Sequence, residues 1–320
     1  MKLNRVGNTG VKVTEVSFGT ASIGNLYREV DDAGAAEVLE AAWAGGLRYF
    51  DTAPHYGRGL AEARLGRFLK GREDVVVSTK VGRILSPAKA PIAEAEGYVN
   101  PAQNDVRYDY SGDGLEESLE QSCERLGRSY IDILYVHDIG TFTHGEANAA
   151  HMEAFFGSGY ERLVRLKEAG RIRAFGLGVN ENEVCLEVME HGPLDVILLA
   201  GRLTLLDRSA EQALVPRCRE QGTSLVLGGV FNSGILATGP VEGATYGYGP
   251  ASREILDEVG RLKTRAEDAG ISLATAALHF AAKHPAAASV LLGTAKASTL
   301  DRNLAALRQV LPDGAEAALA

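Results

Sequence analysis

Residues 49–57 read Tyr49-Phe50-Asp51-Thr52-Ala53-Pro54-His55-Tyr56-Gly57. A short apolar strand ends on an acid, and a tyrosine follows five positions later on a turn. Two further runs end on a polar residue in the same way. Lys80 closes Val75-Val76-Val77-Ser78-Thr79-Lys80, and His137 closes Ile131-Asp132-Ile133-Leu134-Tyr135-Val136-His137. An acid, a phenol, an ammonium and an imidazole thus all stand where strands end. That is equipment for moving a proton through a tyrosine beside a hydride transfer.

Working outward, short β-branched runs alternate with longer helical patterns along the whole chain. Strands are expected at 16–20, 49–53, 75–81, 131–137, 174–179, 196–200, 224–229 and 289–293. Each is continuously apolar rather than alternating, as buried parallel strands are. Helical patterns fall near 32–44, 59–70, 113–126, 159–169, 181–191, 209–220, 252–269 and 297–309, with an extra one at 272–283. Asp31 and Ser272 stand where helix caps belong, and glycine follows several helix ends. Eight strand–helix pairs in order predict one α/β domain over 1–320, a closed (β/α)8 TIM barrel. An open doubly wound sheet fits less well, because Gly19-Thr20-Ala21-Ser22-Ile23-Gly24 lacks the GxGxxG spacing.

Asn8-Thr9-Gly10 signals a tight turn, so a small hairpin is expected to precede the barrel and close its bottom. Three connections, roughly 82–112, 138–158 and 230–250, are too long for plain turns. All follow strands, on the C-terminal face that carries barrel active sites, and so predict substrate walls and a lid. The first holds Tyr98, Tyr108 and Tyr110; the third holds Tyr246 and Tyr248.

A formal net charge of −9 argues against nucleic acid or anionic membrane as partner. Cys123, Cys185 and Cys218 have no metal-ligand spacing and read as reduced thiols of a cytoplasmic protein. No signal peptide is visible, and no apolar stretch approaches the ~20 residues of a membrane helix. Without a long exposed apolar stripe, the default is a monomer or weak homodimer.

Taken singly, each polar strand end has a structural reading. Asp51 reads as a helix cap, Tyr56 as a rim residue, Lys80 as a solvated edge and His137 as a satisfied structural histidine. Together they read as chemistry. An ammonium stabilises a phenolate, an acid fixes the ammonium, and an imidazole orients the substrate oxygen. With this motif, Asp-x-Ala-x-x-Tyr-Gly at 51–57, and with the Lys80 and His137 contexts, the chain resembles the aldo-keto reductase superfamily from Gly19 to Asn303. The resemblance implies a catalytic tetrad of Asp51, Tyr56, Lys80 and His137 in a barrel that binds a nicotinamide cofactor. Tyr56 would be the proton donor or acceptor, Lys80 would tune it, Asp51 would pair with Lys80 and His137 would orient the substrate.

Gly228-Gly229-Val230-Phe231-Asn232-Ser233-Gly234-Ile235-Leu236 is similar to the segment after strand seven in D-threo-aldose 1-dehydrogenases, a subgroup with L-fucose dehydrogenases and pyridoxal 4-dehydrogenase. Asp109–Gly114, Ile139–Gly145 and Gly176–Asn180 look similar too. The resemblance implies oxidation of a cyclic hemiacetal, of an aldose such as L-fucose or D-arabinose, to a lactone, with Tyr56 as general base. Pyridoxal is the alternative substrate. NADPH-dependent reduction of aldehydes or ketones, or a redox-sensing barrel like the channel β subunits, are the other readings. It also implies cofactor contacts at Gly19, Thr20, Asp51, Asn180, Gly229, Phe231, Asn232, Gly234, Gly293, Thr294, Lys296 and Asn303. Departures occur at Ala200, where the family often has Gln, and at Leu203, where it often has a ring-stacking Tyr. Arginines that hold a 2′-phosphate are absent at Ala295 and Thr299, which favours NAD over NADP. Arg202 and Asn232 stand between a ligand contact and a structural hydrogen bond.

Overall fold

The computed structural model describes residues 1–247 and 249–319; Tyr248 lies outside the described residues. Eight parallel strands close into a barrel. They are β1 (Val16–Gly19), β2 (Tyr49–Asp51), β3 (Val76–Val81), β4 (Ile131–His137), β5 (Ile172–Val179), β6 (Val196–Ala200), β7 (Ser224–Gly228) and β8 (Ala287–Gly293). The ring closes where β8 pairs with β1.

Helices surround it: α1 (Asp32–Ala44), α2 (Leu60–Leu69), α3 (Gly112–Leu126), α4 (Tyr160–Glu168), α5 (Glu183–His191), α6 (Leu214–Gln221), α7 (Arg253–Asp268), α8 (Leu273–Lys283) and α9 (Ala297–Arg308). The expected caps are in place. Asp31 accepts from Gly34 N at the start of α1, and Ser272 accepts from Thr275 N at the start of α8.

Strand parity sorts the side chains. Phe50, Val77, Leu134 and Val136 join the apolar layer shared with the helices. Tyr49, Ile133, Tyr135, Ala174, Val196, Leu198 and Val226 form a second cluster inside the barrel. The same parity turns Asp51, Ser78, Lys80 and His137 inward above that layer. The N-terminal hairpin, Leu3–Arg5 against Lys12–Thr14, plugs the bottom through Val6, Val11 and Val13.

The three long connections are more structured than their composition suggests. Residues 82–111 fold back as a hairpin, Arg83–Pro87 against Asn104–Tyr108, with a smaller pair, Glu94–Ala95 and Tyr98–Val99, at its end. The connection after β4 carries two short helices, Thr141–His144 and Asn148–Ala154, then a π turn at Phe155–Gly159. The one after β7 carries Ile235–Thr238 and the paired Thr245–Tyr246 and Gly249–Pro250.

The segment between β1 and α1 is pinned from below by Arg64 on α2. Its guanidinium donates to Ile23 O at 2.6 Å, Asn25 Oδ1 at 3.0 Å, Val30 O at 2.8 Å and Asp32 Oδ1 at 2.8 Å. A planar five-donor group suits such a multi-acceptor position; lysine does not. No helix among the described residues is long and apolar enough to cross a membrane. The three cysteines are free and buried.

Candidate active site

Asp51 ends β2 with its carboxylate fully buried. Its Oδ2 accepts from Lys80 Nζ at 2.6 Å and its Oδ1 from Ser78 Oγ at 2.6 Å. Lys80, on β3, is 1% exposed. Besides Asp51, it donates to Thr52 O at 2.9 Å and to Tyr56 OH at 3.0 Å. An ammonium has three protons, and three acceptors surround this one. Tyr56 is therefore an acceptor towards Lys80, so its own O–H is directed elsewhere. Gly178 on β5 leaves the room for this side chain, since a Cβ there would lie 3.4 Å from Lys80 Cε.

Burial raises the Asp51 carboxyl above its ordinary range, against the opposing pull of Lys80 and the Ser78 bond. Burial likewise lowers the Lys80 ammonium, against the pull of Asp51.

His137 ends β4 and is buried. Its Nε2 lies 3.4 Å from Asp138 Oδ2, and its Nδ1 has no hydrogen-bond partner among the described residues. The ring meets Tyr56 edge-on, centroids 5.9 Å apart. Burial, then the charges of Arg83 and Lys80 and the neighbouring His55, hold this imidazole well below its ordinary pKa. A neutral ring, with one N–H to donate, is the result.

Asp51, Lys80 and His137 thus converge with Tyr56 on the turn after β2; Tyr98 and Tyr110, from the long connection expected to wall the site, join them, and so do groups that were given no role. His55, quoted above without a role, has its ring 5.7 Å from His137 and 5.2 Å from Tyr98. Glu96 approaches His55 Nδ1 at 3.4 Å. Arg83 pairs with Asp138 at 2.9 Å. Tyr110 donates to His137 O at 2.8 Å, buttressing the strand end, and its oxygen lies 2.8 Å from His144 Nε2. Only adjacency to Tyr56 in the sequence points to His55; the others come from the hairpin and loop after β3 and β4.

On the same C-terminal face of the barrel lies a cavity of about 710 Å³, lined by none of Asp51, Tyr56, Lys80 and His137. That volume is within the ~300–1,000 Å³ of ligand and cofactor sites. Of the residues expected to contact a cofactor, Asn180, Gly229, Phe231, Asn232, Gly234, Gly293 and Asn303 stand on its wall. Gly19, Thr20, Asp51, Thr294 and Lys296 do not. Asp51 and Thr20 are fully buried, and Lys296 is exposed at the start of α9. Ala200 lines the wall, whereas Leu203 belongs to the core.

Gly229 shows close backbone approach: φ is +61°, and a Cβ would sit 3.0 Å from Gly201 N. Arg202 and Asn232 also face the cavity, but structural bonds engage both. Arg202 donates to Asn180 O at 2.8 Å and pairs with Asp207 at 3.1 Å. Asn232 donates to Gly201 O and accepts from Thr204 Oγ1. Tyr246, from the connection after β7, donates to the same Asp207 at 2.9 Å and borders the cavity.

Residues 15–319 match the model of the Aldo/keto reductase family. Pyridoxal 4-dehydrogenase of Microbacterium luteolum is 40% identical over 96% of this chain and 93% of its own length. D-threo-aldose 1-dehydrogenase of a Pseudomonas species is 35% identical over 97% of this chain and 94% of its own. Among solved structures, the holo form of an aldo-keto reductase from Bacillus halodurans superposes with a TM-score of 0.77 at 26% identity, covering 100% of this chain and 95% of that one.

Proposed function

Since the chain belongs to the aldo/keto reductase family, and so is an oxidoreductase acting on CH–OH groups with a nicotinamide cofactor, we propose that it oxidises a cyclic hemiacetal to a lactone. The observation that carries the proton chemistry is the Lys80 ammonium at 3.0 Å from Tyr56 OH, its other two protons held by Asp51 and Thr52. That arrangement favours a phenolate facing the reacting carbon.

The hemiacetal reading draws on the two relatives. An aldose and pyridoxal each carry an aldehyde and a hydroxyl close enough to close a ring. In the cyclic form the anomeric carbon keeps one hydrogen and one hydroxyl. Tyr56 takes the hydroxyl proton, and His137 holds the same oxygen with an N–H. The bond from that carbon to its hydrogen breaks, and the C–O bond becomes a carbonyl. The bound oxidised nicotinamide supplies the hydride acceptor. Asn180, the loop from Gly229 to Gly234, Gly293 and Asn303 would hold it, because they form the wall of the cavity on the same face of the barrel.

We favour an aldose such as L-fucose or D-arabinose, with pyridoxal as the second reading, which rests on the 40% identical relative. Reduced-dinucleotide formation against L-fucose, D-arabinose, L-galactose, L-xylose and pyridoxal separates them. Turnover of a sugar supports the first reading and turnover of pyridoxal alone the second. Silence across all five, with NADPH-driven aldehyde reduction, sinks both.

The cofactor reading is NAD, with NADP as the alternative. Ala295 and Thr299 offer no guanidinium for a 2′-phosphate, and Lys296 is an exposed point charge. Ala295→Arg is expected to shift the NADP:NAD affinity ratio about tenfold towards NADP. Dissociation constants of both dinucleotides, measured by fluorescence, check it; an unchanged ratio rejects this placement of the phosphate.

A further inference from the structure

The interior of a (β/α)8 barrel is ordinarily packed with branched apolar side chains. Here two of the interior positions are tyrosines, each fully buried: Tyr49 on β2 and Tyr135 on β4. A buried hydroxyl with no partner is destabilising, so the phenols need a polar route out of the apolar layer. That route leads up to the tetrad. Tyr135 OH lies 2.9 Å from Tyr49 OH, Tyr49 OH donates to Ser78 Oγ at 3.1 Å, and Ser78 Oγ donates to Asp51 Oδ1 at 2.6 Å.

The direction of this chain is fixed by proton counting. An ionised carboxylate only accepts, so Ser78 spends its one proton on Asp51. Ser78 then accepts from Tyr49, and Tyr49, its proton spent, accepts from Tyr135. Three hydroxyl dipoles therefore point the same way, at the carboxylate whose other oxygen holds Lys80. Aligned hydrogen bonds in a low dielectric polarise one another. The chain begins at a phenol sealed beneath the tetrad, so it is no exit for protons. Its effect is electrostatic and geometric.

We propose that Tyr135, Tyr49 and Ser78 are positioning residues: a one-way hydroxyl chain that holds the Asp51 carboxylate as an anion and thereby keeps Lys80 charged beside Tyr56. The proposal rests on the tetrad reading above. Without the chain, Asp51 takes a greater share of the proton between it and Lys80. The ammonium weakens, and the Tyr56 phenolate loses support. The other charged or titratable groups around the cluster are occupied differently. Glu62 binds Thr79 and Arg125, Asp132 binds Val77 N and Arg173, and Asp138 pairs with Arg83. His55 and His137 face Tyr56 from the mouth of the barrel.

The test reads Tyr56 directly and needs no substrate. Phenolate absorbance in the near ultraviolet is titrated in the full-length protein and in Tyr56→Phe; the difference isolates Tyr56. The same pair of titrations is made in a Ser78→Ala background and in a Tyr49→Phe/Tyr135→Phe background. The double variant removes both partners of the phenol pair together and leaves only Ser78 short of a donor, so it keeps a folded alternative should Ser78→Ala unfold. The expected result is a Tyr56 midpoint raised by about one unit in Ser78→Ala and by less in the double variant. Ser78→Thr, which keeps the hydroxyl, returns the midpoint to its original place. Unmoved midpoints in folded variants overturn the proposal, as does a Tyr56 that stays protonated throughout the range in which the protein is folded. Silence of the substrate assays with shifted midpoints would instead reject the hemiacetal reading and leave the chain standing.

Discussion

Tyr56→Phe is expected to lower kcat by about 10³-fold while leaving dinucleotide affinity within about twofold. Proton transfer by a positioned side chain contributes roughly 10²–10⁴-fold, and phenylalanine removes the one atom proposed to perform it. The ring itself stays. Its edge-on packing on His137, at 5.9 Å between centroids, and its contact with Tyr98, at 6.5 Å, depend on shape and not on the hydroxyl. Lys80 loses one acceptor of three and keeps Asp51 and Thr52 O, so the buried ion pair survives. Tyr56 is absent from the wall of the cavity proposed to hold the cofactor, so cofactor binding is expected to be spared. Steady-state kinetics with the turned-over substrate, plus fluorescence titration with the dinucleotide, check both halves. A variant with near-normal kcat removes Tyr56 from proton transfer. A raised KM at unchanged kcat would assign it to uniform binding instead.

The barrel and the tetrad were legible for the same reason. Buried parallel strands are short, mostly apolar runs, so their C-terminal ends are visible where the run stops. Those ends are also where barrel chemistry sits. Reading Asp51, Lys80 and His137 at strand ends therefore placed the barrel and this cluster of polar residues in one step; β4 and β6 span the residues expected of them, and β3 runs one residue past Lys80, to Val81. Other features depended on pairings that no local pattern encodes. The hairpin of Arg83–Pro87 with Asn104–Tyr108 has neither a two-residue turn nor clean alternation, and read only as a long connection. Leu203 stood out only as a departure, where the family often has a ring-stacking Tyr, and its apolar side chain joins the core instead. The hydroxyl chain was the least legible. Tyr49, Ser78 and Tyr135 lie on three strands and look like ordinary strand residues. Pairing of the three neighbouring strands β2, β3 and β4, with parity turning all three side chains inward, brings their oxygens together.

Lys80→Met should be the second large effect, about 10²-fold in kcat/KM near neutral pH, and unlike the first it should be partly recovered in alkali. Methionine keeps the apolar stem that fills the space beside Gly178 and removes the charge. Without the ammonium, a Tyr56 phenolate must form against an apolar neighbour, so the rising limb of oxidation against pH moves to higher pH. Tyr56 is still present, so raising the pH restores the base; Tyr56→Phe has no such rescue. Stability needs a separate check, because removing one partner of a buried pair costs about 3–5 kcal/mol. Burial already raises the Asp51 carboxyl, and loss of Lys80 raises it further. The folded variant then binds that proton more tightly than the unfolded chain does. This group's contribution to stability is therefore greatest in acid and is lost as pH rises through the folded-state value. Thermal melts across pH mark the range in which the variant is folded, and the rate profile is read only there. A limb that stays in place within that range removes Lys80 from tuning the tyrosine. A shifted limb with alkaline recovery separates the residue that carries the proton from the one that sets its affinity.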